Sequence, residues 1–402
     1  MTPISSSIQH RFSSKAEFAL CLHFFFSGFG YYGFLTSLAI TLNERGYTSA
    51  QIGSLTAVFL TTSQLGRLLV ADLVVRISSA TAAACGCLLA GVAFVSLSGI
   101  SDYYLLLASL ALAGMGVSIN NLASKTLAAS ISDEVGSSVF AKVYSAAGIS
   151  LAIAAPLMSF LLSRGWARYA LELVGIIYCF SAAYIGSRSL LRFKTVIAEK
   201  DLESLGYTAV LRIGYMPNVL LAAVIGWGMY GQLYSTIPLF AQHELGSAAY
   251  VGWLYTAMAI ATSILQISVT RYASRFDAAK ALILSYLLFL TSFSVLALLT
   301  GPVSIFAFIP AFSLGQMVFI PTLDMIISRL TIPAQRAAAY SLLSVSIAFG
   351  SSLGGGLSVA TYTRMQLHGG AHLYWLSLVA LSLALISVAY FLVRRLSVST
   401  TA

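Results

Sequence analysis

Charge is what this chain lacks. Only 9% of its 402 residues are Asp, Glu, Lys or Arg, against about a quarter in a soluble domain, so water is not its main solvent. Cysteine is scarce as well: Cys21, Cys85, Cys87 and Cys179 all fall in apolar stretches, where no oxidising loop environment exists, which argues against a disulfide framework. The Cys-x-Cys at Cys85 and Cys87 turns its two thiols to different sides of a helix, so packed or lipid-facing small residues are the better reading than a metal site. Histidine occurs only at positions 10, 23, 243, 368 and 372, too scattered for a catalytic or metal cluster. No Walker, His-Glu-x-x-His or nucleophile-elbow spacing is present. An intramembrane enzyme is therefore disfavoured, and no cofactor or metal is implied.

What the chain has is apolar length. Hydrophobic residues make up 58% of it and the mean hydropathy is +0.88. Runs of about 20 residues, enough to cross roughly 30 Å of hydrocarbon, recur from Ala16 to Val393. They predict twelve transmembrane helices, at 16–42, 51–75, 80–100, 103–129, 141–162, 168–187, 217–241, 249–270, 279–299, 302–327, 337–362 and 372–393. The first run follows Arg11 and Lys15 as a signal peptide would, but it continues to Leu42 without a small-residue cleavage site, so it reads as a retained first helix. The expected organisation is an all-α polytopic membrane protein: a six-helix bundle over 1–187, a cytoplasmic linker over 188–216 with a short surface helix, and a second six-helix bundle over 217–402. The linker is too short for a soluble signalling domain, which argues against a sensor.

The formal net charge of +9 is explained by position. With the N-terminus inside, sixteen of the 22 basic residues lie at the inner face and only Arg45, Arg164, Arg168 and Arg364 at the outer one. That asymmetry predicts both termini in the cytoplasm, in the cell (inner) membrane, and makes the lipid bilayer rather than nucleic acid the partner.

The sequence also repeats itself. Asp72-Leu-Val-Val-Arg76, after the second span, has a counterpart 199 residues on in Arg271-Tyr-Ala-Ser-Arg275, after the eighth. Ile131-Ser132 and Tyr144-Ser145, separated by eleven residues, are matched at an offset of 196 by Ile327-Ser328 and Tyr340-Ser341. A duplicated six-helix unit is an architecture of transporters whose halves rock around a central site.

Several stretches carry a family likeness: Leu314-Gly-Gln-Met-Val-Phe-Ile-Pro-Thr-Leu-Asp324, Arg329-Leu-Thr-Ile-Pro-Ala-Gln-Arg336, Gln232-Leu-Tyr-Ser-Thr-Ile-Pro238, Gln266-Ile-Ser-Val-Thr-Arg271, and the glycines Gly28, Gly30 and Gly33. On these the chain resembles the major facilitator superfamily, in its twelve-helix drug:proton antiporter branch of MdtH-type multidrug exporters. The resemblance implies two pseudo-symmetric six-helix bundles, a cavity lined by helices one, four, seven and ten, and a monomer. It also implies proton-coupled efflux of a small organic molecule by alternating access. The sequence departs from the family at the loop after helix two, where only Asp72 and Arg76 of the charged signature remain. It departs again at Leu110, where the antiporters often carry an arginine, and at Ala155-Pro156, where they carry Gly-Pro.

A charge deep in hydrocarbon needs a cavity or a partner, so the few such residues are the candidates. Asp324, the one acid inside the predicted spans of the second half, is the first choice for proton coupling, or else pairs with Arg329 or Lys125. His23 has a side chain suited to proton exchange, or is a neutral histidine bonded across helices. Asn121 and Lys125 share a face of helix four, and with Arg67, Gln232, Gln316, Tyr230 and Tyr234 form the expected solute-binding set. Two cations there also support an alternative, a proton-linked importer or facilitator of a polar organic anion. Asp72, Arg76, Arg271 and Arg275 are expected to gate the inner side, although the three basic residues serve equally as orientation signals. Gly350, Gly354, Gly355 and Gly356 read as close packing and a hinge.

Overall fold

A computed structural model describes residues 4–135, 138–187, 206–245, 251–367 and 370–395. The expected linker lies outside the described residues up to position 205. The described residues contain helices and no strand: α1 (Ile4–Glu44), α2 (Ser49–Ile77), α3 (Ser79–Leu97), α4 (Tyr103–Val135), α5 (Ser138–Ser163), α6 (Ala167–Ser187), the short α7 (Tyr207–Leu211), α8 (Met216–Tyr230), α9 (Thr236–Leu245), α10 (Val251–Ala273), α11 (Ala278–Leu298), α12 (Pro302–Leu330), α13 (Arg336–Leu367) and α14 (Ala371–Val393). The expected spans fall mainly on helix where they are described, although α3 ends at Leu97 and α11 at Leu298, short of the expected ends at 100 and 299. Ten segments are long and apolar enough to cross a membrane among the described residues.

The seventh expected span departs from a continuous helix. It is α8 and α9 joined by a tighter turn of 3-10 helix at Gly231–Tyr234. Pro238 supplies the reason. A proline lacks the N–H that would bond four residues back and its ring crowds that carbonyl, which here belongs to Tyr234, so the α-ladder stops there and restarts at Thr236.

The described residues divide into two compact units, Met1–Val210 with Thr331–Ser344, and Leu211–Leu330 with Val345–Ala402. The chain thus passes from the first unit to the second inside α13. Within the first unit α3 packs on α4 and α6, α1 on α5 and α6, and α2 on α4; within the second, α11 packs on α12 and α14, α10 on α12, and α8 on α14.

Small residues make these contacts possible, as expected where lipid is as apolar as leucine and helices associate through close fit. A Cβ on Gly86 would lie 2.7 Å from the carbonyl oxygen of Gly116, and one on Gly91 would lie 2.8 Å from that of Gly175. In the second unit the tightest approach is α13 on α8, where a Cβ on Gly354 would lie 2.1 Å from the carbonyl oxygen of Gly228.

The sequence repeat reappears in a pair of tethers. Arg45, just past α1, donates from Nη1 to the carbonyls of Leu97 (2.8 Å) and Ile100 (3.2 Å), and from Nη2 to that of Ser98 (3.4 Å). It thereby fills the unpaired acceptors at the C-terminus of α3. At the same offset of 199 stands Glu244, near the end of α9, which accepts from the backbone N–H of Gly301 at the start of α12. A cation holds a helix C-terminus in one unit and an anion holds a helix N-terminus in the other.

Adjacent glycines in α13 separate packing from mere helix content. Gly354→Ala should overfill the α13–α8 contact at a cost of about 1–3 kcal/mol. Gly355→Ala, whose added Cβ finds nothing nearer than 3.5 Å, should leave thermal unfolding in detergent within a degree or two of the parent. Equal melting temperatures for the two variants would contradict this packing.

Candidate functional site

The first unit holds two polar clusters. One is centred on His23 of α1, which is fully buried. Its Nε2 lies 2.9 Å from Asn120 Oδ1 and 2.9 Å from Ser124 Oγ, both on α4, and its Nδ1 lies 2.9 Å from Ser181 Oγ on α6. An amide oxygen only accepts, so Nε2 carries the proton and donates it, while Ser181 donates to Nδ1. The network is complete with the ring singly protonated. In the dry interior it ties three helices together, because any member left unpaired would carry the full desolvation cost of its polar group.

The second cluster gathers around Thr331–Ser344. Arg336, 3% exposed, meets Asp133 at the end of α4 through Nη2, at 2.8 Å to Oδ1 and 2.6 Å to Oδ2. Arg67 of α2, 5% exposed, donates from Nη1 to Ser344 Oγ at 2.5 Å, and its own backbone carbonyl accepts from Ser341 Oγ at 2.9 Å. The ammonium of Lys125 stands 5.8 Å from the ring centroid of Tyr340, within cation–π range. Tyr207, at the described end of the linker, donates its hydroxyl to the carbonyl of Leu68, the residue after Arg67. Both cations expected to meet a solute therefore contact the start of α13.

The gate residues named from the sequence lie elsewhere. Asp72, Arg76, Arg271 and Arg275 are all exposed. Among the described residues none of the four forms an ion pair, and Arg275 instead lies 5.6 Å over the ring of Tyr272. The ion pair at Asp133 and Arg336 joins the end of α4 to the start of α13, close to the second sequence repeat. Asp133 directly follows Ile131-Ser132 of that repeat. Asp133 is an acid near a span end as Asp72 is, so the same charge signal was available for both.

In the second unit, Asp324 is 1% exposed on α12, three residues after Pro321. Pro321 deprives the Met317 carbonyl of its helical donor. Gln266 of α10 replaces it, donating from Nε2 at 2.8 Å, with Thr270 Oγ1 at 3.4 Å. Gln316 donates from Nε2 to Thr262 Oγ1 at 2.8 Å.

Gln232, 2% exposed in the 3-10 turn, donates to the Gly354 carbonyl and to Ser358 Oγ at 2.7 Å each, and accepts from the Tyr374 hydroxyl at 2.8 Å. It fastens the break in helix seven to α13 and α14. Tyr230 and Tyr234 join hydroxyls at 3.2 Å across that break. Asn121 is half-buried, and among the described residues its amide forms no hydrogen bond.

If the loop ion pair holds Thr331–Ser344 in place, Arg336→Gln should raise amide hydrogen exchange across 331–344 severalfold, whereas Asp72→Asn should not change it. Exchange mass spectrometry on the two variants decides which acid matters.

With this geometry in hand, comparison with known proteins is informative. The profile of the Major Facilitator Superfamily matches residues 20–246 and 219–401. The multidrug resistance protein MdtH of Aeromonas salmonicida (strain A449) is 24% identical over 155 residues, covering 38% of this chain and 38% of the relative, and MdtH of Aeromonas hydrophila subsp. hydrophila gives the same figures. The matched stretch thus spans well under half of those relatives. Among solved structures, the E. coli fucose:proton symporter FucP is similar at a TM-score of 0.73 and 16% identity, over 94% of this chain and 97% of that one. The human organic anion transporter MFSD10 is similar at 0.75 and 13%, over 94% and 99%; at such identities both likenesses show the fold alone. With profile matches over nearly its whole length, the chain belongs to the Major Facilitator Superfamily and is a multi-pass membrane protein.

Proposed function

We propose that this transporter exports a small organic molecule by alternating access, as a monomer with both termini in the cytoplasm, and exchanges each solute for a proton taken up at Asp324. The observation that carries the reading is the burial of Asp324, 1% exposed on a membrane-spanning helix. A carboxylate in hydrocarbon is costly and tends to mark an ion pathway. It lies one turn from Pro321, where helix ten has already exchanged a backbone hydrogen bond for a side-chain one, and local rearrangement there is less costly than in an unbroken ladder.

The contacts of Thr331–Ser344 supply a gate of suitable strength. Asp133 keeps 49% of its side chain exposed, so its pairing with Arg336 is screened and contributes on the order of 0–1 kcal/mol. Such a bond is cheap to break in each cycle, and the Arg67–Ser344 and Lys125–Tyr340 contacts would break with it. Asn121, whose amide is open, is the solute-binding candidate that the geometry favours most. Gln232 and Gln316 are committed to neighbouring helices and act on the solute only through helix position. The outward direction rests on likeness to the MdtH multidrug resistance proteins.

The experiment is the pH change inside proteoliposomes on adding a panel of drugs, sugars and polycarboxylates, with wild type and Asp324→Asn compared. Solute-dependent proton movement in wild type should fall at least tenfold in the variant, with its sign giving the direction. Solute movement without protons, or equal proton movement in both proteins, would make Asp324 structural and leave a facilitator.

A further inference from the structure

Among the ten membrane-crossing segments, α14 is the most apolar and the least covered by protein, with only 22% of its apolar stretch buried. Its exposed side carries Leu376, Leu381, Leu383 and Val388. A surface both uncovered and this apolar suits hydrocarbon rather than a watery solute path. The helix ends on a different chemistry. Tyr390 and Phe391 are 51% and 62% exposed, and Arg394 and Arg395, which follow directly after its last residue, are exposed as well.

The Arg394 guanidinium lies 4.8 Å from the centroid of the Phe391 ring, within cation–π range, and that ring meets Tyr390 edge-on with centroids 5.9 Å apart. From α8, Asn218 donates from Nδ2 to the Leu392 carbonyl at 3.1 Å, so one of the last carbonyls of α14 is served without either arginine. Among the described residues neither Arg394 nor Arg395 forms an ion pair or a side-chain hydrogen bond. A guanidinium above a ring is held there by its charge, while its five N–H donors, set in a planar fork, remain for a phosphate.

Charge decides which phosphate fits. A headgroup of net negative charge balances two adjacent cations, whereas a zwitterionic one brings a cation for which no carboxylate stands ready. The same spacing, an aromatic three residues before an arginine at a helix end, recurs after α10, where Arg275 lies 5.6 Å over Tyr272. There Asp277 follows two residues on and makes the surface less basic.

From this arrangement we infer that the end of α14 binds the phosphate of an anionic phospholipid in the surrounding leaflet. Arg394 and Arg395 take the phosphate, Phe391 holds the Arg394 guanidinium at headgroup level, and the acyl chains lie along the exposed apolar side of the helix. Orientation of the chain by basic residues requires only charge at this face. Arg76, another exposed arginine expected there, is therefore the control.

The test is native mass spectrometry of the purified full chain in detergent, titrated with phosphatidylglycerol or with phosphatidylcholine. Wild type should retain phosphatidylglycerol about tenfold more tightly than phosphatidylcholine. Replacing both arginines, Arg394→Gln with Arg395→Gln, should bring the two lipids within about twofold of each other, and Arg76→Gln should leave the preference in place. Phe391→Leu keeps both charges and an apolar side chain, and should weaken phosphatidylglycerol about threefold. It also guards against a double variant that simply misfolds. Excess glycerol 3-phosphate should not displace the lipid, because it lacks the acyl chains.

Five results overturn the site: wild type holds both lipids equally, the double variant keeps the preference, Arg76→Gln loses as much as the double variant, Phe391→Leu matches wild type, or glycerol 3-phosphate displaces the lipid. The fourth would leave the ring without a part in binding, and the last would make the end of α14 a general anion site.

Discussion

No water reaches a backbone carbonyl in the middle of a bilayer, so every departure from a straight helix must be answered by another part of the protein. That constraint organises this molecule. Pro321 removes one donor from helix ten, and Gln266 reaches across from α10 to fill the Met317 carbonyl. Pro238 interrupts helix seven, and the resulting turn is fastened by Gln232 to α13 and α14. His23 brings a polar ring into the interior of the first unit, and three neutral side chains close around it. Each answer uses up a polar group that would otherwise be free to meet a solute.

The constraint also sorts polar residues by task. Gln232 has both ends of its amide bonded to protein and Gln266 has its Nε2 bonded to Thr270 and Met317, and their value lies in holding helices at chosen angles. Arg67 and Lys125 contact the first turns of α13, at Ser344 and Tyr340, so their charge bears on whether that segment stays in place. Asp324, six residues before the end of α12, is buried, and that burial is what the proposed proton coupling rests on.

Much of this was legible beforehand. Twelve apolar runs, the asymmetry of basic residues and the offsets of 199 and 196 all follow from length, charge and periodicity, which a bilayer reads directly. Of the glycines of α13 read as close packing, Gly350 and Gly354 do stand against the backbone of α8, whereas Gly355 has room for a Cβ. Asp72 and Arg76 carry remnants of a loop signature and lie exposed, while Asp133, which the sequence reading did not single out, forms an ion pair with Arg336. Charge type is visible in a sequence, but the partner of a charge is a matter of three-dimensional proximity. The break in helix seven was legible in principle from Pro238, yet apolar composition alone made the run look continuous.

Composition and local spacing in the sequence were enough for the class of solvent, the helical architecture and the short roll of membrane-embedded polar residues, and the likeness of a few motifs pointed to the family. The tertiary structure alone decided which of those residues are spent on one another. It set Gln232 against Gly354 and Tyr374, His23 against Asn120 and Ser181, Arg336 against Asp133, and Tyr234 against Tyr255. Hydrogen bonds and ring stacking act over a few ångströms between positions that are up to roughly two hundred residues apart along the chain, and no local pattern encodes that distance.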